Sequence, residues 1–191
     1  KLENYFKVCG IPYTLHSMQL PADVKKLEKE IGVFQMPAVQ LGDGRWMTDS
    51  SKIIQWFEAQ YPHNGVTPTD PMQAFFCLLL EDWADEWWWR PAMHYRWYYP
   101  EGAHLQSRHL ADELMSSMSL PRFVRRSMLR RRQRNGYTIG DGMTAANVPG
   151  VEAMFARLLA QLQTIFSDRP FLFGERPSLA DIGLSGPFFR H

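Results

Sequence analysis

The sequence predicts a small α/β domain followed by an all-helical domain. Two observations support this division. Helical and strand-like segments alternate within residues 1–61, whereas no convincing strand pattern follows residue 71. Between these regions, residues 62–71 are rich in Pro, Thr and Gly, a composition that is typical of a linker. We therefore predict one domain at residues 1–61 and a second at residues 72–191, joined by a linker at residues 62–71.

The first domain is predicted to begin with a helix, a strand and a second helix. The first helix has one apolar face and ends at Gly10, after which Pro12 prevents its continuation. Residues 13–16 then predict a strand, and residues 24–31 predict the second helix. The apolar face of the first helix comprises Leu2, Tyr5, Phe6 and Cys9.

A hairpin and a third helix complete the first domain. Two short apolar runs, residues 38–41 and 45–47, are separated by a Gly-Asp-Gly turn at residues 42–44. The third helix is predicted over residues 50–60, because apolar side chains recur there at a spacing of four residues. The predicted order is therefore helix, strand, helix, strand, strand, helix.

The second domain is predicted to contain only helices. Residues 72–98 and 103–135 have helical patterns and are separated by Pro100 and Gly102. Residues 151–166 carry the clearest 3.6-residue apolar period in the chain. A last helix is predicted to begin at Ser178.

Composition argues against several classes of function. With 21 Lys and Arg against 20 Asp and Glu, a net charge of +1 gives no reason to expect nucleic acid or an acidic partner. The longest apolar run, residues 74–80, is too short to span a bilayer. Cys9 and Cys77 form no disulfide or metal-ligand pattern and favour a reducing compartment, so we predict a cytoplasmic protein without a metal site.

Three motifs together resemble those of the glutathione transferase family. Met36-Pro37 enters a strand, Asp49-Ser50 opens the third helix, and Ser178-Leu179-Ala180-Asp181 opens the last helix. Members of this family combine an N-terminal thioredoxin-like domain with a C-terminal helical bundle. The resemblance, which covers essentially the whole chain, implies an α/β thioredoxin-like domain whose first strand is apparently missing, followed by an all-α bundle.

The resemblance implies that the first domain binds glutathione as a co-substrate. In the family the proline of the first motif is cis, and the residue before it offers its backbone to the cysteinyl part of glutathione, which assigns Met36 and Pro37 to the site. The acidic-Ser pair grips the γ-glutamyl end, which assigns Asp49 and Ser50. The assignment has a local physical basis, because a helix N-terminus presents N–H groups and a positive dipole end to a carboxylate. The motif at Ser178 resembles a capping box that serves folding.

An aromatic segment at residues 81–99 holds the candidate electrophile site. In the family the first helix after the linker lines this site, and Trp83 and Trp87 lie four residues apart on one helical face. Aromatic concave surfaces suit apolar ligands. The alternative interpretation is that these tryptophans fill an interdomain core or a dimer interface. Asp82 and Asp85 are candidates to reach the glutathione amine.

The sequence assigns no catalytic residue. In the family the residue that activates the sulfur follows a strand preceding the first helix, whereas this chain begins inside that helix, so we expect a sequence incomplete at both ends. The resemblance implies a homodimeric transferase that joins the glutathione thiolate to a small apolar electrophile. One alternative is a non-catalytic scaffold subunit of a larger complex, and another is a glutathione-dependent reductase or dehalogenase that uses a cysteine. A Ser, Cys or Tyr just upstream of Lys1 would favour chemistry.

Three further features have both a functional and a structural interpretation. His94 and Tyr95 are candidates for proton transfer, although a His among aromatic residues is more often packed. Cys9 and Cys77 lie on apolar faces and are more simply core residues than nucleophiles. The basic run at residues 125–134 is compatible with nucleic acid binding, but the near-neutral net charge favours a solvated helix face.

Overall fold

The computed structural model describes residues 1–188. Within them it has one two-stranded sheet and nine α-helices. The strands are β1 (Ala38–Gln40) and β2 (Trp46–Thr48). The helices of the N-terminal part are α1 (Leu2–Cys9), α2 (Ala22–Ile31) and α3 (Ser50–Gln60). Those of the C-terminal part are α4 (Pro71–Asp82), α5 (Trp89–Trp97), α6 (Pro100–Leu114), α7 (Arg122–Arg134), α8 (Val148–Asp168) and α9 (Leu179–Phe188). The predicted class, a small α/β part followed by an all-helical part, is confirmed.

The predicted hairpin is present. Strands β1 and β2 are antiparallel, with Ala38 opposite Thr48 and Gln40 opposite Trp46. Gly44 closes the turn at φ 89°, a conformation that glycine adopts without a steric penalty. Asp43 supports the turn, because its carboxylate accepts hydrogen bonds from the backbone N–H and the Nε of Arg45.

The predicted strand at residues 13–16 is wrong. A strand needs a neighbour for its backbone N–H and C=O groups, and among residues 1–188 the two strands pair only with each other. Instead the segment is held by side chains. The ring of Tyr13 packs 5.6 Å from that of Phe6, and its hydroxyl donates to Glu3. Further along, the Leu20 N–H donates to the Leu114 carbonyl at 2.9 Å, which joins this loop to α6.

The helix predicted over residues 72–98 is interrupted near its middle. Residues 83–87 form a π-helical segment between α4 and α5, here called the first π segment. Pro91 provides a local reason, because it has no N–H to donate and its ring clashes with the carbonyl four residues earlier in a regular α-helix. A π-helical turn forms hydrogen bonds between residues i and i+5, so the first π segment changes the hydrogen-bond pattern just before Pro91.

The predicted break between the next two helices is present, since α5 ends at Trp97 and α6 begins at Pro100 rather than at residue 103. Pro100 is the first residue of α6, a position where its missing N–H costs nothing, and Gly102 lies inside the helix. The stretch at residues 103–135 is instead divided before α7, where Pro121 precedes the first helical residue. A second π segment, residues 135–139, follows α7 directly.

The main hydrophobic core contains residues from both predicted domains. It joins α1 and α3 to α4, the first π segment and α9. A smaller core lies between α5, α6 and α7. The predicted linker is attached to both sides of the main core, since the Val66 N–H donates to Glu58 and its carbonyl accepts from the Leu179 N–H. The domain boundaries themselves stay a prediction. The most buried core members include Tyr5, Ile53, Ile54, Cys77, Ala84 and Ala180.

The predicted capping box at the start of α9 is present. Asp181 Oδ2 accepts hydrogen bonds from both the backbone N–H and the hydroxyl of Ser178, at 2.8 and 2.6 Å. Its other oxygen accepts from the Leu172 N–H at 2.9 Å. The box therefore fixes the helix start and also ties it to the preceding loop. Across residues 1–188, no helix combines the length and apolar character needed to cross a membrane.

Candidate functional site

The hairpin brings the two predicted glutathione-binding segments together. Because Ala38 is paired with Thr48, Pro37 and Asp49 are the next residues beyond the pairing at the open end of the hairpin. The Met36–Pro37 peptide bond is cis, as the family resemblance implies. Met36 is 51% exposed, so its surroundings leave room beside the segment. Two motifs with eleven residues between them in sequence are thus side by side in the fold.

Asp49 has an unusual backbone conformation. Its φ of 72° and ψ of 111° make it the one non-glycine residue with a positive φ among residues 1–188. Its Oδ1 caps α3 by accepting from the backbone N–H groups of Ser51 and Lys52, at 3.0 and 3.4 Å. A conformation of this kind costs about 1–3 kcal/mol and is found preferentially at ligand clamps and active sites. Oδ2 accepts no hydrogen bond from the described residues.

Ser50 is the first residue of α3 and is partly exposed. Neither its hydroxyl nor its backbone N–H donates to another group within residues 1–188. Because Asp49 already occupies the next two N–H groups, Ser50 supplies the donors that remain at this helix start. Two adjacent donors at the positive end of a helix dipole suit a carboxylate.

A buried charge cluster adjoins the start of α3, and sequence reasoning missed it. Lys1 Nζ donates to Ser51 Oγ at 3.2 Å and to Asp85 Oδ2 at 2.9 Å, and it forms an ion pair with Glu81. Burial by itself lowers the pKa of Lys1, but the bonds to Asp85 and Glu81 outweigh it and raise that pKa, so the ammonium group stays charged. The sequence contained one signal for this cluster. Lys1 lies four residues before buried Tyr5, a spacing that places two side chains on the same face of a helix.

This cluster also locates the acidic candidates of the aromatic segment. Through Lys1, Asp85 lies next to the N-terminal turn of α3, whereas exposed Asp82 takes no part in the cluster. With Glu81 and Asp85 facing one ammonium group, the cluster carries more negative than positive charge. We infer that it favours a second cation close to the start of α3.

The predicted electrophile-binding tryptophans are only loosely packed. Trp87 is 54% exposed, and Trp83 is partly buried with its ring edge-on to that of Trp88 at 5.2 Å. The neighbouring stripe faces the core instead, since Ala84 and Trp88 are almost completely buried. Core filling thus explains Trp88 but not Trp87. A role of Trp83 and Trp87 in binding an electrophile stays a prediction.

Sequence reasoning did not identify an apolar cavity of about 350 Å³ between α5, α6, α8 and α9. Aromatic rings form much of its wall, with Tyr95 and Phe155 at 4.9 Å and Phe155 and Phe188 at 5.3 Å between centroids. The apolar period of α8 was the available signal, although it did not specify a cavity. None of the predicted glutathione-binding residues lines it. Its lining comprises Tyr95, Arg96, Gly102, Leu105, Gln106, Phe155 and Phe188.

His94 belongs to a packed polar cluster. It is completely buried, and its Nε2 lies 2.9 Å from Glu152 Oε1, which also accepts from the Tyr99 hydroxyl. The hydrogen bonds from Tyr99 and His94 lower the pKa of Glu152, and the bond to Glu152 raises the pKa of Tyr99 to about 12. The cluster joins α5 to α8, so the structural interpretation of His94 is the one its burial supports.

The two cysteines are unsuited to nucleophilic chemistry in this structure. Both Cys9 and Cys77 are buried, and burial raises the pKa of each thiol. Tyr5 is similar, because its buried ring has a pKa raised chiefly by desolvation. These side chains pack in the main core.

Comparisons with known families agree with the order of the motifs. Residues 1–65 match the family model described as glutathione S-transferase, N-terminal domain. Residues 130–190 match the model described as glutathione S-transferase, C-terminal domain. The two matches cover about two thirds of the 191 residues. No curated protein and no solved structure matches the chain. With its thioredoxin-like N-terminal part, its helical C-terminal part and both family matches in order, the chain belongs to the glutathione transferase family.

Proposed function

We propose that this protein binds glutathione at the open end of the hairpin and transfers its thiolate to a small apolar electrophile. The observation that carries the proposal is the register of β1 and β2, which sets Met36-Pro37 beside Asp49-Ser50. The N-terminal family model supports it further, since domains of this type bind glutathione in general. We also propose that the protein acts as a cytoplasmic homodimer.

Each end of the tripeptide has a chemically suitable partner in this proposal. The Ser50 hydroxyl and N–H donate to the γ-glutamyl carboxylate, and the backbone of Met36 pairs with the cysteinyl unit. Asp49 Oδ2 accepts from the γ-glutamyl ammonium, aided by the negative charge of the cluster around Lys1. This arrangement holds the sulfur in place while it bonds to the electrophilic carbon and the leaving group departs with its electron pair.

The electrophile is proposed to lie against Trp83 and Trp87. Asp85, on the same π segment, approaches the start of α3 through Lys1, which supports a position for these tryptophans on the side of the glutathione site. The exposed ring of Trp87 offers an apolar surface for such a substrate.

Calorimetry with glutathione on the full-length protein tests the binding step. We expect Ser50→Ala to weaken binding by roughly 1–3 kcal/mol, because a donor to a charged group is lost. The matched control is Ser119→Ala, which removes an exposed hydroxyl far along the chain and should leave the affinity unchanged. No detectable binding at millimolar glutathione would overturn the proposal.

Turnover separates the enzyme from the scaffold alternative. We expect the full-length protein to consume an aryl halide activated by nitro groups only when glutathione is present, measured by absorbance of the thioether. Binding without turnover of this or other apolar electrophiles would instead favour a non-catalytic subunit.

A further inference from the structure

A second cavity, of about 490 Å³, lies between α6, α7 and the second π segment. Its volume falls in the range of small-molecule sites, which is roughly 300–1,000 Å³. Three arginines, one histidine, one serine and one asparagine supply its polar lining, and no carboxylate is present. We call it the basic cavity. It is lined by Pro100, Ala103, His104, Ser127, Arg130, Arg131, Arg134, Asn135 and Ile139.

The arginines of α7 are unevenly partnered. This helix contains seven arginines and no acidic residue. Arg125 donates to the Met115 carbonyl, Arg126 pairs with Asp112, and Arg132 lies over a tyrosine ring. By contrast, Arg131 and Arg134 are exposed at the basic cavity and form no ion pair within residues 1–188. Arg122, at the start of α7, likewise forms no ion pair within these residues, so Arg131 and Arg134 place at the basic cavity the uncompensated charge of the C-terminal part of α7.

The remaining arginine of the cavity contacts the cavity's histidine. Arg130 Nη1 lies 3.0 Å from His104 Nδ1. A guanidinium group can only donate, so this contact is a hydrogen bond in the tautomer whose Nδ1 accepts and whose proton is on Nε2. In that tautomer the Nε2–H of His104 is a further donor. Together with the Ser127 hydroxyl and the Asn135 amide, it gives the cavity a surplus of donors over acceptors.

The basic cavity also has an apolar portion and is separate from the other sites. Pro100, Ala103 and Ile139 contribute hydrocarbon surface. The residues of α6 that line it lie on the opposite face of the helix from Gly102, Leu105 and Gln106, which line the apolar cavity. No residue of the proposed glutathione site belongs to it.

We propose that the basic cavity binds a small organic molecule that carries a multiply charged phosphate group. Planar guanidinium groups match phosphate oxygens in pairs, which favours this anion over a single carboxylate. The apolar portion fits the organic part of the ligand, and the near-neutral net charge of +1 gives no reason to expect a nucleic acid backbone instead. The proposal does not depend on glutathione binding.

Calorimetry on the full-length protein with inorganic pyrophosphate and with a nucleoside diphosphate tests this proposal. We expect both to bind, and the double variant Arg131→Gln/Arg134→Gln to weaken each by about tenfold or more, because charge-assisted hydrogen bonds are lost. The nucleoside diphosphate should bind more tightly than pyrophosphate, since it also covers the apolar portion.

The matched control is Arg157→Gln/Arg169→Gln, which removes the same charge from exposed positions outside the cavity. It should change either affinity by less than about twofold at moderate salt, where distant charges are screened. Equal losses in both double variants, or no binding to the parent protein at millimolar ligand, would overturn the proposal. So would tight binding of a single-stranded oligonucleotide that pyrophosphate does not displace.

Circular dichroism establishes that the double variants are folded, as expected for exposed positions. If Arg131→Gln/Arg134→Gln does not fold, Ser127→Ala provides a neutral change in the same lining. It should weaken pyrophosphate binding without changing net charge. An unchanged pyrophosphate affinity in Ser127→Ala would contradict binding in the basic cavity.

Discussion

At the scale of single residues, Asp49 combines a stabilising and a destabilising feature. Its carboxylate caps α3, whereas its backbone occupies a region that side chains disfavour. Natural proteins keep such a conformation where function requires it. The proposed glutathione site supplies that reason, because the same residue orients Ser50 and offers Oδ2 to the ligand.

Replacing Asp49 separates these contributions. We expect Asp49→Ala to lower the free energy of unfolding by about 1–2 kcal/mol, because the cap is lost and the strain remains. Asp49→Gly should be more stable than Asp49→Ala by about 1–3 kcal/mol, because glycine accepts φ 72° without strain. Urea denaturation measures both. Equal stability of the two variants would contradict backbone strain at residue 49. If either variant kept the glutathione affinity of the parent protein, the proposed contact between the Asp49 carboxylate and the ligand would be contradicted.

Glu152 makes stability depend on pH. Hydrogen bonds from Tyr99 and His94 lower the pKa of Glu152 in the folded protein. The stability that these bonds contribute is therefore fully present at pH values above the ordinary pKa of a glutamate, and it is lost as the pH falls below about 4. We expect Glu152→Gln to be less stable than the parent at pH 7, and the gap to narrow as the pH falls from about 5 towards 3. Urea midpoints across this range measure the effect.

The control for Glu152 is Glu30→Gln, which removes one exposed carboxylate that forms no ion pair within residues 1–188. If both variants showed the same dependence on pH, net charge would explain the result and the hydrogen bonds of Glu152 would not.

At the scale of elements, α9 packs unusually close to α4. A Cβ placed on Gly183 would lie 3.2 Å from the Cα of Glu81 and 3.3 Å from its carbonyl oxygen. Backbone atoms yield less readily than the end of a flexible side chain. Glycine at this position therefore lets α4 carry Glu81 into contact with Lys1, beside the proposed site.

We expect Gly183→Ala to lower the free energy of unfolding by roughly 1–3 kcal/mol through overpacking. Gly186→Ala is the matched control on the same helix, because a Cβ there meets nothing within 4 Å. It should leave stability unchanged or raise it by up to about 1 kcal/mol, through helix propensity. Denaturation of both variants measures the difference, and equal effects would contradict the close approach.

At the scale of the whole molecule, α4 presents an apolar stripe on the side away from α9. Its members are separated by three or four residues and are 46–65% exposed. A contiguous apolar surface of this kind usually marks an interface. Membership of the glutathione transferase family makes a second copy of this chain the expected partner. The stripe comprises Met72, Phe75, Phe76 and Leu79.

We expect the full-length protein to sediment as a homodimer and Phe75→Arg/Leu79→Arg to sediment as a monomer, because two cations replace the centre of the stripe. Analytical ultracentrifugation over a range of concentrations measures this. Phe123→Arg, at a still more exposed phenylalanine on α7, is the control and should stay dimeric. A double variant with an unchanged sedimentation coefficient would place the interface elsewhere.

Local patterns predicted much of the fold. Strands β1 and β2 lie within one residue of the predicted hairpin, and α3 matches its predicted range, because turn chemistry and helix caps act over a few residues. The prediction of a strand at residues 13–16 was wrong because strand formation depends on pairing with a segment that is distant in sequence. The first π segment was not predicted, because Pro91 signals a conflict with regular helical hydrogen bonding but does not specify that a π-helical turn resolves it.

By itself, the sequence determined the family, the hairpin with the helix that follows it, and the two segments proposed to bind glutathione. These features rest on residue spacing and caps, which neighbours in the chain decide. Only the tertiary structure decided that Pro37 and Asp49 meet, that Lys1 is buried against Glu81 and Asp85, and that Arg131 and Arg134 line a cavity. Burial and electrostatic pairing depend on which residues pack against one another across the fold.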